Sequence, residues 1–106
     1  MTKTKKLPPI PPGDILRDAL DDAGLSANRA ALMMRIPNNR LNAILQGKRA
    51  ITTETAMRLA QLFGTSAKLW LNLQMKFDLE TAQDHDAERI ALEVQPLKAM
   101  HHGAHD

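Results

Sequence analysis

Residues that end one helix and start the next recur at short intervals between Pro12 and Ser66, and this punctuation limits what the chain can fold into. Glycines suited to a left-handed stop follow three apolar segments, and hydroxyl side chains suited to helix N-caps follow the glycines. The stops are Gly24, Gly47 and Gly64, and the caps are Ser26, Thr52 or Thr53, and Ser66. No strand-like alternation precedes residue 88. The sequence therefore predicts an all-α bundle of five helices, the fifth running from Ser66 to about Thr81.

Each of the first four predicted helices has one apolar stripe that can face a common core. The predicted inward residues are Ile15, Leu16, Ala19, Leu20 and Ala23, then Ala30, Ala31 and Met34, then Leu41, Ile44 and Leu45, and finally Ala56, Leu59, Ala60 and Phe63. A chain of 106 residues is the length of one such domain, so we expect a single core.

Composition narrows the class of protein further. The chain has no cysteine, which excludes disulfides, thiolate metal sites and cysteine nucleophiles. Its longest run without a charged residue, Leu59 to Ala67, is far below the ~20 residues of a membrane span. No apolar signal core follows the basic residues at the start. We therefore expect a soluble, cytoplasmic protein.

Positive charge is concentrated in the first half of the chain. Residues 1–49 carry nine Lys or Arg and four Asp or Glu, whereas residues 50–106 carry five and eight. No acidic residue lies between Asp22 and Glu54, a stretch whose cations are Arg29, Arg35, Arg40, Lys48 and Arg49. Such a stretch is the expected footprint of a surface that binds phosphates, although Arg29 and Arg35 are equally well explained as solvated charges.

The second and third predicted helices have the pattern of a helix-turn-helix over about residues 26–46. A capped helix, a turn of about four residues and a second helix follow one another, and the small Ala31 lets the two helices cross closely. The outer face of the second helix carries Asn38, Asn39, Arg40, Asn42, Ala43 and Gln46. Asparagine and glutamine can bond adenine, arginine can bond guanine, and alanine can contact a thymine methyl group. This composition predicts a helix that reads double-stranded DNA.

The fifth predicted helix is apolar on two faces. One sector holds Leu69, Trp70, Leu73 and Phe77, and Leu71, Met75 and Leu79 occupy an almost opposite one. A helix with two apolar faces is buried on both sides. We expect a second copy of the chain on the second face, the alternative being a helix central to its own fold. Trp70 is expected in the core or the dimer interface, and Asn72 and Gln74 as hydrogen bonders at a cap or an interface.

The C-terminal segment is compatible with two structures. Ile90, Leu92 and Val94 alternate with polar residues after a polar break at residues 83–86, which favours a short strand that pairs with a dimer mate or a partner protein. The same residues also fit one short helix. Either way, these three side chains join Leu71, Met75 and Leu79 as the predicted dimer interface.

Features of an enzyme are absent from the sequence. Gly47 and Lys48 lack the spacing of a phosphate-binding loop, and the acids of the first helix have the distribution of a solvated face. His101, His102 and His105 form a tail that can bind Ni²⁺ or Zn²⁺ adventitiously. We expect no catalytic residues, no designed metal site and no cofactor.

The sequence resembles the HigA-type antitoxins, which belong to the Cro/C1-type helix-turn-helix proteins. The likeness covers about residues 11–82, and the block from Phe63 to Ser66 with Leu69 to Gln74 is its most specific part. The resemblance implies a dimer that binds an inverted repeat in its own promoter and neutralises a HigB-type toxin, an mRNA endonuclease.

The resemblance also implies roles for individual residues. By position, Asn38, Asn39, Arg40, Asn42 and Ala43 would contact or approach base edges, and Ser26, Asn28, Arg29, Lys48 and Arg49 would hold phosphates. Ala27 replaces a frequent Gln, and Arg35 replaces the usual Gly of the turn. A left-handed arginine costs about 1 kcal/mol or more relative to glycine, unless the turn is built differently.

These expectations divide the chain into four regions. Residues 1–11 are a basic, proline-rich flexible arm, better suited to placing lysines near an anion than to an SH3-type contact. Residues 12–82 are the DNA-binding domain, 83–97 a dimerisation or partner-binding extension, and 98–106 a disordered His-rich tail. Two alternative functions remain, a repressor without a toxin and a protein-interaction module whose basic stretch is incidental.

Overall fold

Five α-helices make up the part of the chain that the computed structural model describes, residues 7–97. In chain order they are α1 (Pro12–Ala23), α2 (Ala27–Met34), α3 (Asn38–Leu45), α4 (Thr53–Phe63) and α5 (Ala67–Glu93). No strand occurs among these residues, so the predicted all-α class is confirmed. The histidines at 101, 102 and 105 and the lysines at 3, 5 and 6 lie outside the described residues.

The predicted helix caps are confirmed. Ser26 Oγ accepts a hydrogen bond from the Arg29 amide at 3.1 Å, and Ser66 Oγ accepts one from the Leu69 amide at 3.0 Å. At the start of α4 the cap is Thr52, whose Oγ1 accepts from the Thr55 amide at 3.3 Å. Each hydroxyl satisfies a first-turn amide that has no partner within its helix.

The core lies where α3 packs against both α1 and α2, while α4 and α5 cover it from the other side. The residues predicted to face inward on α2 and α3 are all buried, as are Leu16, Leu20, Ala56 and Leu59. On α5 the buried residue is Trp70, at 2% exposure, and the neighbouring Leu69 is exposed, contrary to its predicted inward sector. The fold therefore rotates the first turn of α5 so that the largest side chain reaches the core.

Trp70 is a core residue that also closes the turn between α4 and α5. Its indole Nε1 donates to Thr65 Oγ1 at 2.8 Å, and its ring lies 5.8 Å from that of Phe63, centroid to centroid. Burial of the indole therefore leaves its N–H satisfied. This environment excludes Trp70 as an exposed platform for a ligand.

Gly13 sets the distance between α1 and α3. A Cβ atom at this position would overlap the carbonyl oxygen of Ile44 and lie 2.9 Å from that of Leu45. Both carbonyls belong to the last turn of α3, so any side chain at Gly13 would push α3 away from α1. The orientation of α3 therefore depends on the absence of a side chain on α1.

The tail corrects two of the sequence predictions. Helix α5 does not end near Thr81 but continues to Glu93, and residues 88–93 are helical and not a strand. The polar residues at 83–86 favour no turn because neither Gly nor Pro occurs between Gly64 and Pro96. Ion pairs from Arg89 to Asp86 at 3.0 Å and to Glu93 at 3.3 Å support the last turns.

The helical tail separates side chains that a strand would have aligned. Ile90 follows Leu79 by about three turns and shares its side of α5, whereas Leu92 lies about 200° further around the axis. Val94 stands beyond the helix, in extended backbone at φ −112° and ψ 116°. All three side chains are exposed, and of the three only Ile90 continues the face of Leu79.

The second half of α5 gives the molecule an elongated shape. The helix has 27 residues and is roughly 40 Å long, and the described part of the chain measures 56 × 33 × 21 Å. Its length leaves the turns after residue 81 projecting from the core, with nearly all their side chains exposed. Within residues 7–97 no helix is long and apolar enough to cross a membrane.

Arg35 ends α2 in a left-handed conformation, at φ 58° and ψ 46°. It is the one non-glycine residue with positive φ in the described chain. The Ile36 amide donates to the Ala31 carbonyl at 3.1 Å, which closes the helix in the manner usual for glycine. The turn therefore has the left-handed geometry that glycine favours, and the arginine carries the strain.

We expect Arg35→Gly to stabilise the protein by about 1 kcal/mol, because glycine adopts this conformation without a Cβ penalty. The midpoint of thermal unfolding should rise by about 4–8 °C for a domain of this size. Arg35→Ala is the matched control, since it removes the same charge but keeps the strained Cβ. Equal midpoints for the Gly and Ala variants would contradict the assignment of strain to the backbone.

Candidate nucleic-acid interface

The outward side of α3 is defined by what the helix buries. Leu41, Ile44 and Leu45 face the core, so the opposite side runs through Asn39, Ala43 and Gln46, at i, i+4 and i+7. Asn39 and Gln46 are exposed and Ala43 is half-buried. The three form a stripe of two amides and a methyl group along one helix.

The other predicted base-contacting residues flank this stripe. Asn38 is exposed in the first turn and Asn42 is half-buried on one side. Gln46 completes the stripe. The sequence placed it on the outer face of the helix but did not include it among the predicted base-contacting residues. Its i+3 spacing from Ala43 was the signal that could have added it.

Arg40 occupies the other flank and is already paired. Its guanidinium lies 3.7 Å from Glu54 on α4, and its side chain is 28% exposed. Glu54 also pairs with Arg58 at 3.1 Å, and Arg58 donates to the Met34 carbonyl at 2.9 Å. The carboxylate thus holds two arginines between α2, α3 and α4.

The predicted phosphate-contacting residues lie at two places in the sequence on either side of α3. Ser26, Asn28 and Arg29 are exposed in the first turn of α2, where the unpaired amides and the helix dipole favour an anion. Lys48 and Arg49 are exposed in the loop that follows α3. Exposed cations therefore precede and follow, in the chain, the helix whose amides face outward.

The loop after α3 begins as a helix stop and carries the two cations directly behind it. Gly47 has φ 76°, and the Lys48 amide donates to the Ala43 carbonyl at 2.8 Å. Lys48 is thereby fixed relative to the last turn of α3. A small cavity of about 220 Å³ lies beside the loop, lined by Arg40, Arg49, Ala50, Thr52, Glu54 and Thr55.

Gln74 on α5 reaches this loop from behind. Its Oε1 accepts from the Ile51 amide at 2.8 Å, and its Nε2 donates to Asp78 Oδ1 at 2.9 Å. The sequence predicted hydrogen bonding for Gln74 without a partner. No local signal could have supplied one, because the two residues are 23 positions apart.

The predicted second face of α5 is partly exposed. Leu71 is half-buried against the core, whereas Met75 and Leu79 are 59% and 55% exposed. Together with Gln74 and Asp78, these three residues line a shallow groove of about 460 Å³. Apolar side chains of this size in a row are unusual on a surface that stays in contact with water.

The chemistry of this surface is that of recognition. It offers amide donors and acceptors on a helix, cations before and after that helix in the chain, and one carboxylate that is shared between two arginines. Within residues 7–97 no group of three or more His, Asp or Glu residues is placed to hold a metal ion.

Comparison with known proteins places this arrangement in a family. The helix-turn-helix family model matches residues 16–70. Virulence-associated protein I of Dichelobacter nodosus is 42% identical over 79 residues, which cover 74% of this chain and 73% of that protein.

Two solved structures are similar over almost their whole length. An addiction module antidote protein of the HigA family from Coxiella burnetii is 44% identical, with a TM-score of 0.79, over 85% of this chain and 99% of that one. The antitoxin HigA of Pseudomonas aeruginosa, solved with the higBA promoter, is 37% identical, with a TM-score of 0.80, over 84% of this chain and 98% of that one. The chain therefore belongs to the Cro/C1-type helix-turn-helix proteins and, within them, to the HigA antitoxin family of DNA-binding regulators.

Proposed function

We propose that this protein is a dimeric antitoxin that binds a palindromic operator in its own promoter, represses its operon and neutralises a HigB-type mRNA endonuclease. The observation that carries the proposal is the outward stripe of α3, with exposed Arg29 before it in the chain and exposed Lys48 and Arg49 after it. Amides on a groove-sized helix supply base contacts, and flanking cations supply phosphate contacts. Similarity to a HigA solved with its promoter supports this assignment.

The two sets of residues would divide the work. Asn39 and Ala43, with Gln46 added from the structure, lie where base edges would be, and Asn38 and Asn42 flank them. Arg40 would reach a base only by exchanging its contact with Glu54. Ser26, Asn28 and Arg29 on one flank, and Lys48 and Arg49 on the other, would bind phosphates and fix the register of α3 in the groove.

A palindromic operator requires two copies of α3 related by a two-fold axis. We place the second copy on the α5 face formed by Leu71, Met75 and Leu79, extended by Ile90. Leu92 and Val94 were predicted for the same interface, but they do not share this side of the helix, so we leave them out of the proposed face.

Asn39→Ala should weaken operator binding by about 1–3 kcal/mol and relax the base preference at one operator position, because one bidentate base contact is lost. Binding is measured by fluorescence anisotropy on operators substituted at each position in turn. Gln61→Ala, which removes an exposed amide from α4, is the control and should bind as the unchanged protein does. A uniform loss at every operator sequence would move Asn39 to the phosphate-contacting set.

Lys48→Ala should weaken binding to operator and scrambled DNA alike and reduce the slope of log affinity against log salt by about one. The reason is that one phosphate contact, which carries no sequence information, is removed. Titrations between ~50 and ~200 mM salt give the slope. Lys68→Ala removes the same charge from an exposed position on α5, and an equal change in its slope would show a general charge effect instead of a contact.

Met75→Glu and Leu79→Glu should each convert the dimer to a monomer and weaken operator binding, because the avidity of two half-sites is lost. Both side chains are more than half exposed, so the core should tolerate the change. Sedimentation velocity reports the mass, and Met57→Glu, at 60% exposure on α4, is the control. A dimer that persists in both variants would place the interface elsewhere.

The complete proposal is tested in two steps. The protein is first titrated onto the DNA upstream of its own gene and onto scrambled DNA at ~150 mM salt, where a preference of at least ~1,000-fold is expected. The neighbouring gene product is then expressed with and without this protein, and growth and mRNA cleavage are measured. Equal, weak binding to both DNAs would reject operator recognition, and a harmless neighbour would leave a repressor without a toxin.

A further inference from the structure

The loop between α3 and α4, residues 46–52, has few backbone hydrogen bonds near its two cations, Lys48 and Arg49. Its first part is held by the Gly47 and Lys48 amides, which bond to the last turn of α3. From Arg49 to Thr53, one backbone amide in the described chain has a hydrogen-bond partner, and it is Ile51, bonded to Gln74. The Gln74 side chain on α5 therefore supplies the hydrogen bond that holds the backbone just after Lys48 and Arg49.

The space behind the loop makes this hydrogen bond more important. A cavity of about 160 Å³ lies between the loop, the start of α1 and the middle of α5, lined among others by Gly13, Gly47, Lys48, Gln74 and Asp78. Side chains do not fill this space, so the loop has little packing beneath Lys48 and Arg49. Gln74, which accepts the hydrogen bond from the Ile51 amide, is one of the residues that line it.

Asp78 fixes which end of the Gln74 amide faces the loop. Its carboxylate only accepts hydrogen bonds, so the amide NH₂ of Gln74 must point to Asp78 and the carbonyl oxygen is left for Ile51. Gln74 and Asp78 are one turn apart on α5, which keeps the pair in register. The arrangement presents one acceptor at a defined position below the loop.

We propose that Gln74 is a positioning residue for DNA binding, which holds the loop so that Lys48 and Arg49 meet phosphates together. This inference rests on the proposed function, since it assigns those two cations to phosphates. Gln74 itself contacts no DNA. It acts through the backbone of Ile51, whose side chain is buried and anchors the other end of the same segment.

The test compares Gln74→Met, which keeps the length and helix preference of the side chain but removes its acceptor, with a swapped pair. In Gln74→Glu with Asp78→Asn, a carboxylate accepts from both the Ile51 amide and the new asparagine, and the net charge of the protein is unchanged. Duplex operator and scrambled DNA are titrated over a range of salt. Hydrogen exchange of the Ile51 amide and thermal unfolding are followed by NMR and circular dichroism.

We expect Gln74→Met to remain folded at the temperature of the assay, to expose the Ile51 amide to exchange, and to lose about tenfold in affinity for both DNAs. Its salt slope should fall by about one to two, because Lys48 and Arg49 no longer engage fully. The swapped pair should recover both affinity and slope. In a protein that already carries Lys48→Ala and Arg49→Ala, Gln74→Met should have little further effect on binding.

Three results would overturn the inference: an unchanged salt slope in Gln74→Met, a swapped pair that protects the Ile51 amide but does not recover binding, or an equal loss in the variant without the two cations. A failure of operator recognition is distinguishable from these. It would appear as equal affinity of the unchanged protein for both DNAs, while the effect of Gln74 on the salt slope would still be measured on scrambled DNA.

Discussion

The contact between Gly13 and the last turn of α3 governs the geometry of this protein. Because no Cβ separates α1 from the carbonyls of Ile44 and Leu45, α3 lies directly on α1. The small residues Ala30 and Ala31 are buried on α2, which also packs against α3. Because α1 and α2 both pack against α3, its remaining side faces the exterior in a fixed orientation, which the proposed role in a DNA groove requires.

The helices of the first two-thirds of the chain were predictable because their boundaries are local. Ser26, Thr52 and Ser66 bond to amides three residues away, so the sequence contains both partners of each cap. The structure of residues 83–97 was not predictable in this way. Alternation over six residues is a weak signal compared with the continuation of a preceding helix. The longer α5 is supported by the ion pairs of Arg89 and by the absence of Gly and Pro between Gly64 and Pro96, and the prediction gave both too little weight.

In the candidate site, too, local features were predictable from the sequence and long-range contacts were not. Periodicity alone identified the outer face of α3, because the apolar residues of a helix define its opposite side. It could not reveal that Arg40 lies against Glu54, or that Gln74 bonds to the Ile51 amide, since both partners come from distant segments. Long-range polar contacts depend on the packing of helices, which periodicity does not specify.

Glu54 pairs with two arginines beside the proposed DNA-binding surface. An exposed ion pair contributes about 0.2–1 kcal/mol, so the contacts of Arg40 and Arg58 with Glu54 add little to stability. The carboxylate also lowers the positive potential that attracts any DNA. Under the proposed function, a base contact by Arg40 would replace its ion pair with Glu54, and the small contribution of that pair means that the exchange would cost little.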